Sequence, residues 1–316
     1  MGCEACFSCR KSITLPAVFK QVLMSTVILE KDGLELTLCP PDLQEGYYRG
    51  TRFDHSGIFR RIVVDGYVLA DEWFDVYDPY RHDAVCGTSE EFAECGYDDA
   101  EAGDVFLKPG VGLLYKDDDS PYDHFKLYRV ADPGRWTVTS EDDEAVFVHV
   151  LDGDAWGYIY EKRVRILDGG SFEISHRLCN TGAYAISGET YNHNFFTMGD
   201  SRPGPGIEFD FPFSPCGTWR SEYDSVKLSE HGIRYLRPLV QGESVFMGNL
   251  NPSDGSEITG EVFRISSGGH KVVFSSDRPF DHIVFWSNHR VGCIEPFIPY
   301  ALESGEEFEW NYRFCV

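Results

Sequence analysis

The sequence predicts an all-β fold, a large antiparallel β-sandwich, and three observations carry that expectation. Short runs dense in β-branched and aromatic residues recur along the chain, compact turn signals separate them, and sustained 3.6-residue apolar periodicity is nearly absent. The runs fall at residues 26–30, 34–39, 125–130, 136–139, 145–151, 156–167, 171–178, 271–275, 282–286 and 308–314. Between them stand Lys31-Asp32-Gly33, Asp152-Gly153-Asp154, Asp168-Gly169-Gly170 and Ser267-Gly268-Gly269, which suit hairpin connections. The best helical candidate is a weak stretch at 17–24, and no alternation of strands with helices suggests a parallel sheet. With neither a linker nor an internal repeat, residues 25–316 read as one sandwich domain behind a lead-in segment at 1–24.

Composition agrees with a packed globular chain: 42% of the 316 residues are hydrophobic, 15% aromatic and 25% charged. A net charge of −24 opposes binding to nucleic-acid phosphates and anionic membranes, so neither is expected as a partner. The apolar stretch at 13–29 is interrupted by Pro16, Lys20 and Gln21 and lacks a small-residue cleavage site, which fits neither a signal peptide nor a membrane span. Cytoplasmic residence is the expectation. Ten scattered cysteines in a chain of this size suggest reduced thiols. Cys3, Cys6 and Cys9 have cluster-like spacing, but Ile13 stands where a fourth ligand is needed, so no metal is expected.

One segment, 71–104, reads differently: acidic, rich in Tyr, Gly and Asp, and without strand alternation for most of its length. A long irregular segment inside a compact domain is often functional, though it equally suits a solvated insertion.

Two strings bear chemistry. In Glu189-Thr190-Tyr191-Asn192-His193-Asn194-Phe195-Phe196, a strand would set Tyr191, His193 and Phe195 on one face and Asn192 and Asn194 on the other. Aromatic rings pack on sugar C–H surfaces while amides bond hydroxyls, so Asn192 is a candidate contact for a polar ligand. In Val291-Gly292-Cys293-Ile294-Glu295-Pro296-Phe297, alternation puts Glu295 among apolar neighbours, where desolvation moves a carboxyl toward the pKa of a general base at neutral pH. Each has a structural alternative: a satisfied core histidine for His193, and an ion pair with Arg290 for Glu295.

Asn192-His193-Asn194-Phe195-Phe196 resembles the N-H-x-[YF]-F signature of aldose 1-epimerases. Cys293-Ile294-Glu295 resembles their C-L-E segment, followed by Gly305-Glu306 and a final aromatic strand. The resemblance implies the galactose mutarotase-like supersandwich, with His193 as general acid and Glu295 as general base interconverting the α and β anomers of a sugar. It implies a small-molecule sugar substrate, no cofactor, and a monomer or homodimer. A substrate-binding arginine is expected upstream, where Arg52 is the preferred match and Arg49 the reserve, each with a structural alternative as partner of an acid such as Asp54. These epimerases carry a second histidine in a Gly-rich segment; here Gly87-Thr88-Ser89-Glu90-Glu91-Phe92 stands in the comparable stretch, so Glu90 or Glu91 would replace it, with His82 nearby. Trp286 is a candidate sugar-stacking ring, and Lys108-Pro109-Gly110-Val111-Gly112 reads as a turn. The departure at the second histidine keeps two other readings open: a non-catalytic carbohydrate-binding protein, and a carbohydrate lyase or hydrolase on the same scaffold.

Overall fold

A computed structural model describes residues 26–199 and 201–316, and among these no helix occurs. The stretch proposed as helical at 17–24 and the Cys3, Cys6, Cys9 run lie outside the described residues. A four-stranded sheet opens the chain, in the order β1 (Val27–Lys31), β2 (Leu34–Cys39), β3 (Ile58–Val64) and β4 (Tyr67–Ala70). Its first hairpin closes through Asp32 and Gly33, with φ of 49° and 82°, the left-handed pair that matches strand twist. Then come β5 (Gly87–Phe92) and a small sheet of β6 (Val105–Lys108), β7 (Gly112–Tyr115) and β8 (Val130–Asp132).

The body of the molecule is built from two large antiparallel sheets. Their strands are β9 (Arg135–Ser140), β10 (Glu144–Leu151), β11 (Tyr158–Leu167), β12 (Ser171–Asn180), β13 (Ile186–Phe195), β14 (Ile207–Asp210), β15 (Pro215–Trp219) and β16 (Val226–Ser229). The set continues with β17 (Gly232–Tyr235), β18 (Ser244–Pro252), β19 (Ile258–Ser267), β20 (His270–Phe280), β21 (His282–Asn288), β22 (Gly292–Leu302) and β23 (Glu307–Cys315). Ten strands form one sheet in the order β16-β17-β14-β19-β20-β23-β12-β11-β10-β9, and six form the other as β15-β18-β21-β22-β13-β5. The expected antiparallel sandwich is thus observed.

The sheets pack through aromatic side chains that alternation turns inward: Phe92 of β5 meets Tyr160 of β11 and Trp310 of β23 at centroid distances of 5.3 and 6.0 Å. The same interlayer space buries a polar network. Asp54 accepts from Lys162 at 3.3 Å and Tyr160 at 3.2 Å, and Tyr160 reaches His176 Nδ1 at 2.9 Å. Low dielectric makes each of these groups expensive unless paired, which is why Asp54 also caps the Ser56 amide.

Two expectations fail locally. Residues 125–130 alternate like a strand, yet only Val130 enters β8, because the Asp123 carboxylate captures the Phe125 amide at 2.9 Å and turns the chain. Within 71–104, β5 is a fully buried strand paired with β13 from Gly87↔Phe195 to Phe92↔Thr190. Its polar composition hid it, since its inward positions are satisfied by hydrogen bonds rather than by apolar contact. As for the thiols, Cys39, Cys86, Cys95, Cys216, Cys293 and Cys315 are free, whereas Cys179 is disulfide-bonded, against expectation.

Gly57 shows how tightly the 51–59 segment, buried throughout, is laid against the sandwich. It has φ of 67°, and a Cβ there would lie 2.5 Å from the buried Phe147 ring. Gly57→Ala should cost about 2–4 kcal/mol through left-handed strain plus overpacking, read as a lower urea midpoint with an unchanged m-value.

Candidate active site

Register puts the candidate groups on two different faces of the six-stranded sheet. Tyr191 pairs with Glu91 on β5 and with Phe297 on β22, so these three share the outer face with His193, Phe195, Glu295 and Cys293. Trp286 joins them from β21 through its pairing with Cys293. The inner face carries Glu90 and Asn192 toward the ten-stranded sheet.

On the outer face His193 Nε2 lies 3.1 Å from Glu295 Oε1, and the two residues are only 4% and 6% exposed. The His193 ring stacks on Phe195 at 3.8 Å and meets Phe53 and Trp286 edge-on at 5.8 and 6.0 Å. Its Nδ1 is buried without a partner. Burial pushes the Glu295 carboxyl up to about 8 and holds the His193 imidazole well below its ordinary value, so both favour their neutral forms. Arg290 pairs instead with Asp75, which removes the ion pair considered for Glu295.

Beside the pair lies a buried charge cluster. Arg52 Nε donates to Glu91 Oε2 at 2.5 Å and its Nη2 to Tyr191 at 2.8 Å, while Tyr191 in turn donates to Glu91. Lys108 Nζ reaches Glu91 Oε1 at 3.3 Å, and His124 Nδ1 stands 3.6 Å from the same oxygen. Burial raises the Glu91 pKa, but Arg52 and Lys108 outweigh it and keep the carboxylate well below its usual range. Above Arg52, Phe125 covers the guanidinium at 5.4 Å and His82 packs on Phe125 at 4.7 Å. Phe125 and the His124 side chain remain 55% and 40% exposed, so together they form the outer cover of the site.

Not every expected residue is here. Glu90 and Asn192 are turned into the interlayer space, where Asn192 Nδ2 donates to Glu90 at 3.1 Å, Thr190 and Tyr312 donate to Glu90, and Thr88 donates to Asn192. Period-two alternation requires this once Glu91 and His193 face outward. Burial there pushes Glu90 up to about 7. Arg49 sits at the rim, bonded to the Gln44 carbonyl at 2.6 Å and stacked over Tyr80. Lys108, Tyr191 and His124 entered the cluster without being foreseen as ligand contacts. Lys108 arrives because the 108–112 string is the β6–β7 turn, as read, and is tucked inward by the His55 amide bonding to Gly110. At the far end of the outer face, Glu189, Asp281 and His282 bring potential metal-ligating atoms within 4.8 Å of one another.

No known family profile matches the chain, and no curated protein is similar to it in sequence. Its fold is another matter. A putative aldose 1-epimerase from Escherichia coli K12 superposes with a TM-score of 0.58 at 13% identity, covering 92% of this chain and 98% of that one. A galactose mutarotase related enzyme from Lactobacillus acidophilus gives 0.54 at 10% identity, covering 92% and 96%. An aldose epimerase homologue from C. elegans gives 0.51 at 12%, covering 92% and 98%. Likeness that spans both chains almost end to end, at such low identity, is a statement about architecture. In fold, this chain is similar to the aldose 1-epimerase and galactose mutarotase-like structures.

Proposed function

We propose that the protein is an aldose 1-epimerase, interconverting sugar anomers with His193 and Glu295 as its proton carriers. The observation that carries this reading is their 3.1 Å contact on the outer sheet face. The anomeric hydroxyl and the ring oxygen are both bonded to C1, so the two protons exchanged in ring opening lie close together. Neighbouring carriers on one face therefore serve this reaction better than carriers separated by the width of the ring. With Glu295 ionised and His193 protonated, Glu295 takes the hydroxyl proton as the C1–O5 bond breaks, O1 becomes the carbonyl oxygen, and His193 protonates O5. Rotation about C1–C2 and the reverse transfers close the other anomer. The contact between Glu295 Oε1 and His193 Nε2 lets the pair's one proton pass from the neutral Glu295 carboxyl to His193, which sets up this working form; the reverse transfers then restore it. Arg52, held by Glu91 and Tyr191, has Nη1 without a protein partner among the described residues and orients the sugar. Trp286 supplies an apolar wall, and Phe125 with His124 and His82 swings aside to admit substrate.

The test is proton NMR of freshly dissolved α-D-glucose and α-D-galactose. Anomer equilibration should be many-fold faster with protein than without; rates equal to the spontaneous ones for every aldose tried would favour a carbohydrate-binding protein instead. The pH profile is a second expected result. The working pair holds one proton. That proton is lost as pH rises through about 8, the raised Glu295 value, and a second is gained only below the lowered His193 value. Activity should thus fall on the alkaline side near pH 8 and persist further into acid than an ordinary histidine allows, measured as equilibration rate corrected for buffer catalysis.

A further inference from the structure

Apolar surface is left exposed at the rim of the His193–Glu295 site. Nine large hydrophobic side chains are exposed among the described residues, and five of them, Val76, Tyr77, Tyr80, Phe125 and Leu127, fall in two short segments. Those segments meet at the site: His82 packs on Phe125 at 4.7 Å, and the Arg49 amide donates to the Pro79 carbonyl at 2.7 Å. Exposed apolar groups gathered in this way mark a binding surface, whereas single ones are ordinary. Two of the rings are set for stacking. Arg49 lies over Tyr80 at 4.4 Å and the Arg52 guanidinium over Phe125 at 5.4 Å, yet the two residues stay 47% and 55% exposed, so each ring is backed by a cation and still open to solvent. Beside each ring stands a polar atom without a hydrogen-bond partner, Arg49 Nε at Tyr80 and His82 Nδ1 at Phe125, both sheltered from water. Such groups cost free energy until something pairs with them.

Open rings interleaved with unpaired polar atoms suit a ligand whose units each carry an apolar C–H face and a girdle of hydroxyls; a hydroxyl both donates and accepts, so it serves either nitrogen. The surface is continuous with the site, because Arg52 donates to Tyr191 at 2.8 Å on one side and lies against Phe125 on the other. A net charge of −24 opposes a polyanion. We infer that the substrate is the reducing end of a neutral oligosaccharide, whose units beyond the first run past Phe125 onto Tyr80. This rests on the epimerase reading, since only the reducing unit has anomers to exchange, and it extends that reading from a free monosaccharide to a chain.

Exchange NMR at anomeric equilibrium, which needs no pure anomer, tests this on the intact protein with maltotriose, cellotriose, mannotriose and xylotriose, each beside its monosaccharide. At least one trisaccharide should show a kcat/KM about tenfold above that of its monosaccharide, because contacts remote from the reacting centre add to transition-state binding. Tyr80→Ala should abolish this preference, through KM more than kcat, and Tyr80→Phe, which keeps the ring, should preserve it. The inference is overturned if every trisaccharide is handled no better than its monosaccharide, or if Tyr80→Ala leaves the preference intact; either result leaves the epimerase reading standing. If no sugar exchanges anomers faster than spontaneously, that reading fails instead, and titration calorimetry with the same sugars decides the glycan surface. It stands if a trisaccharide binds about tenfold more tightly than its monosaccharide and loses the advantage in Tyr80→Ala, and it falls otherwise. A surface that joins two copies of the chain would give a dimer by light scattering that Tyr80→Ala dissociates, with no trisaccharide bound, and that result also overturns the inference.

Discussion

Glu295→Gln is expected to slow anomer interconversion by about 10²–10⁴-fold and, at the same time, to stabilise the protein. The first effect follows from removing a proton carrier while keeping its shape and its neighbour: a carboxamide still reaches His193 Nε2 but accepts no proton from a sugar. The second follows from linkage. Burial raises the folded Glu295 pKa from 4.5 to about 8, so the folded state binds a proton that the unfolded state releases between those values. Wild-type stability therefore declines as pH rises through that window, and glutamine, which does not titrate, is spared the decline. The variant's advantage should be absent near pH 4, grow through neutrality and reach about 2–4 kcal/mol by pH 8. Equilibration rate by proton NMR and urea midpoints at three pH values check the two halves. A structural glutamate whose ion pair holds the fold would lose stability on the same change, which separates the readings and would sink the role assigned to Glu295.

Much of this candidate site was legible because strand alternation decides which side chains share a face. His193 and Glu295 each sit two residues from aromatic or apolar neighbours on their own strand, Phe195 and Cys293 among them, and alternation alone places those side chains together on a buried face. The antiparallel sandwich was legible for the same reason in β9 to β12 and β20 to β23, where β-branched and aromatic residues dominate. What escaped was whatever pattern does not encode. β5 reads Gly-Thr-Ser-Glu-Glu-Phe, as hydrophilic as any loop, yet it is buried from end to end because Thr190, Asn192 and Tyr312 pair with Glu90, and Arg52 and Lys108 with Glu91. Such pairing is set by partners up to 222 residues away, which no local window contains. The role of Lys108 was hidden likewise: its turn was recognised, but the direction in which the turn folds depends on the 51–59 segment. Assigning Glu90 and Asn192 to the ligand failed against the rule that had served for His193. Once one residue of adjacent Glu90 and Glu91 faces the cleft, the other faces the core.

Glu91→Ala is expected to be among the most damaging single substitutions in the chain, costing about 3–5 kcal/mol. The carboxylate is 3% exposed and stands between two buried cations, Arg52 at 2.5 Å and Lys108 at 3.3 Å. Removing it leaves both without a counter-ion in a medium that solvates them poorly, and orphans the Tyr191 hydroxyl as well. Lys108 can shed its proton, since burial already lowers its pKa, but a guanidinium has no such escape. For a chain of this length the loss corresponds to a fall of about 5–8 °C in Tm. The pH dependence carries the sign of the mechanism. Glu91 titrates well below 4.5 in the folded state, so its contribution is fully present above the unfolded value of 4.5 and is lost as pH falls from there through the folded value. The gap between wild type and Glu91→Ala should then be constant from about pH 8 to pH 5 and narrow below it, a trend opposite to that of Glu295→Gln. Glu91→Gln, which keeps the volume but not the charge, should recover only part of the stability if charge is the cause. A variant as stable as wild type would mean instead that Arg52 and Lys108 are solvated where they stand, and that the cluster is held by packing alone.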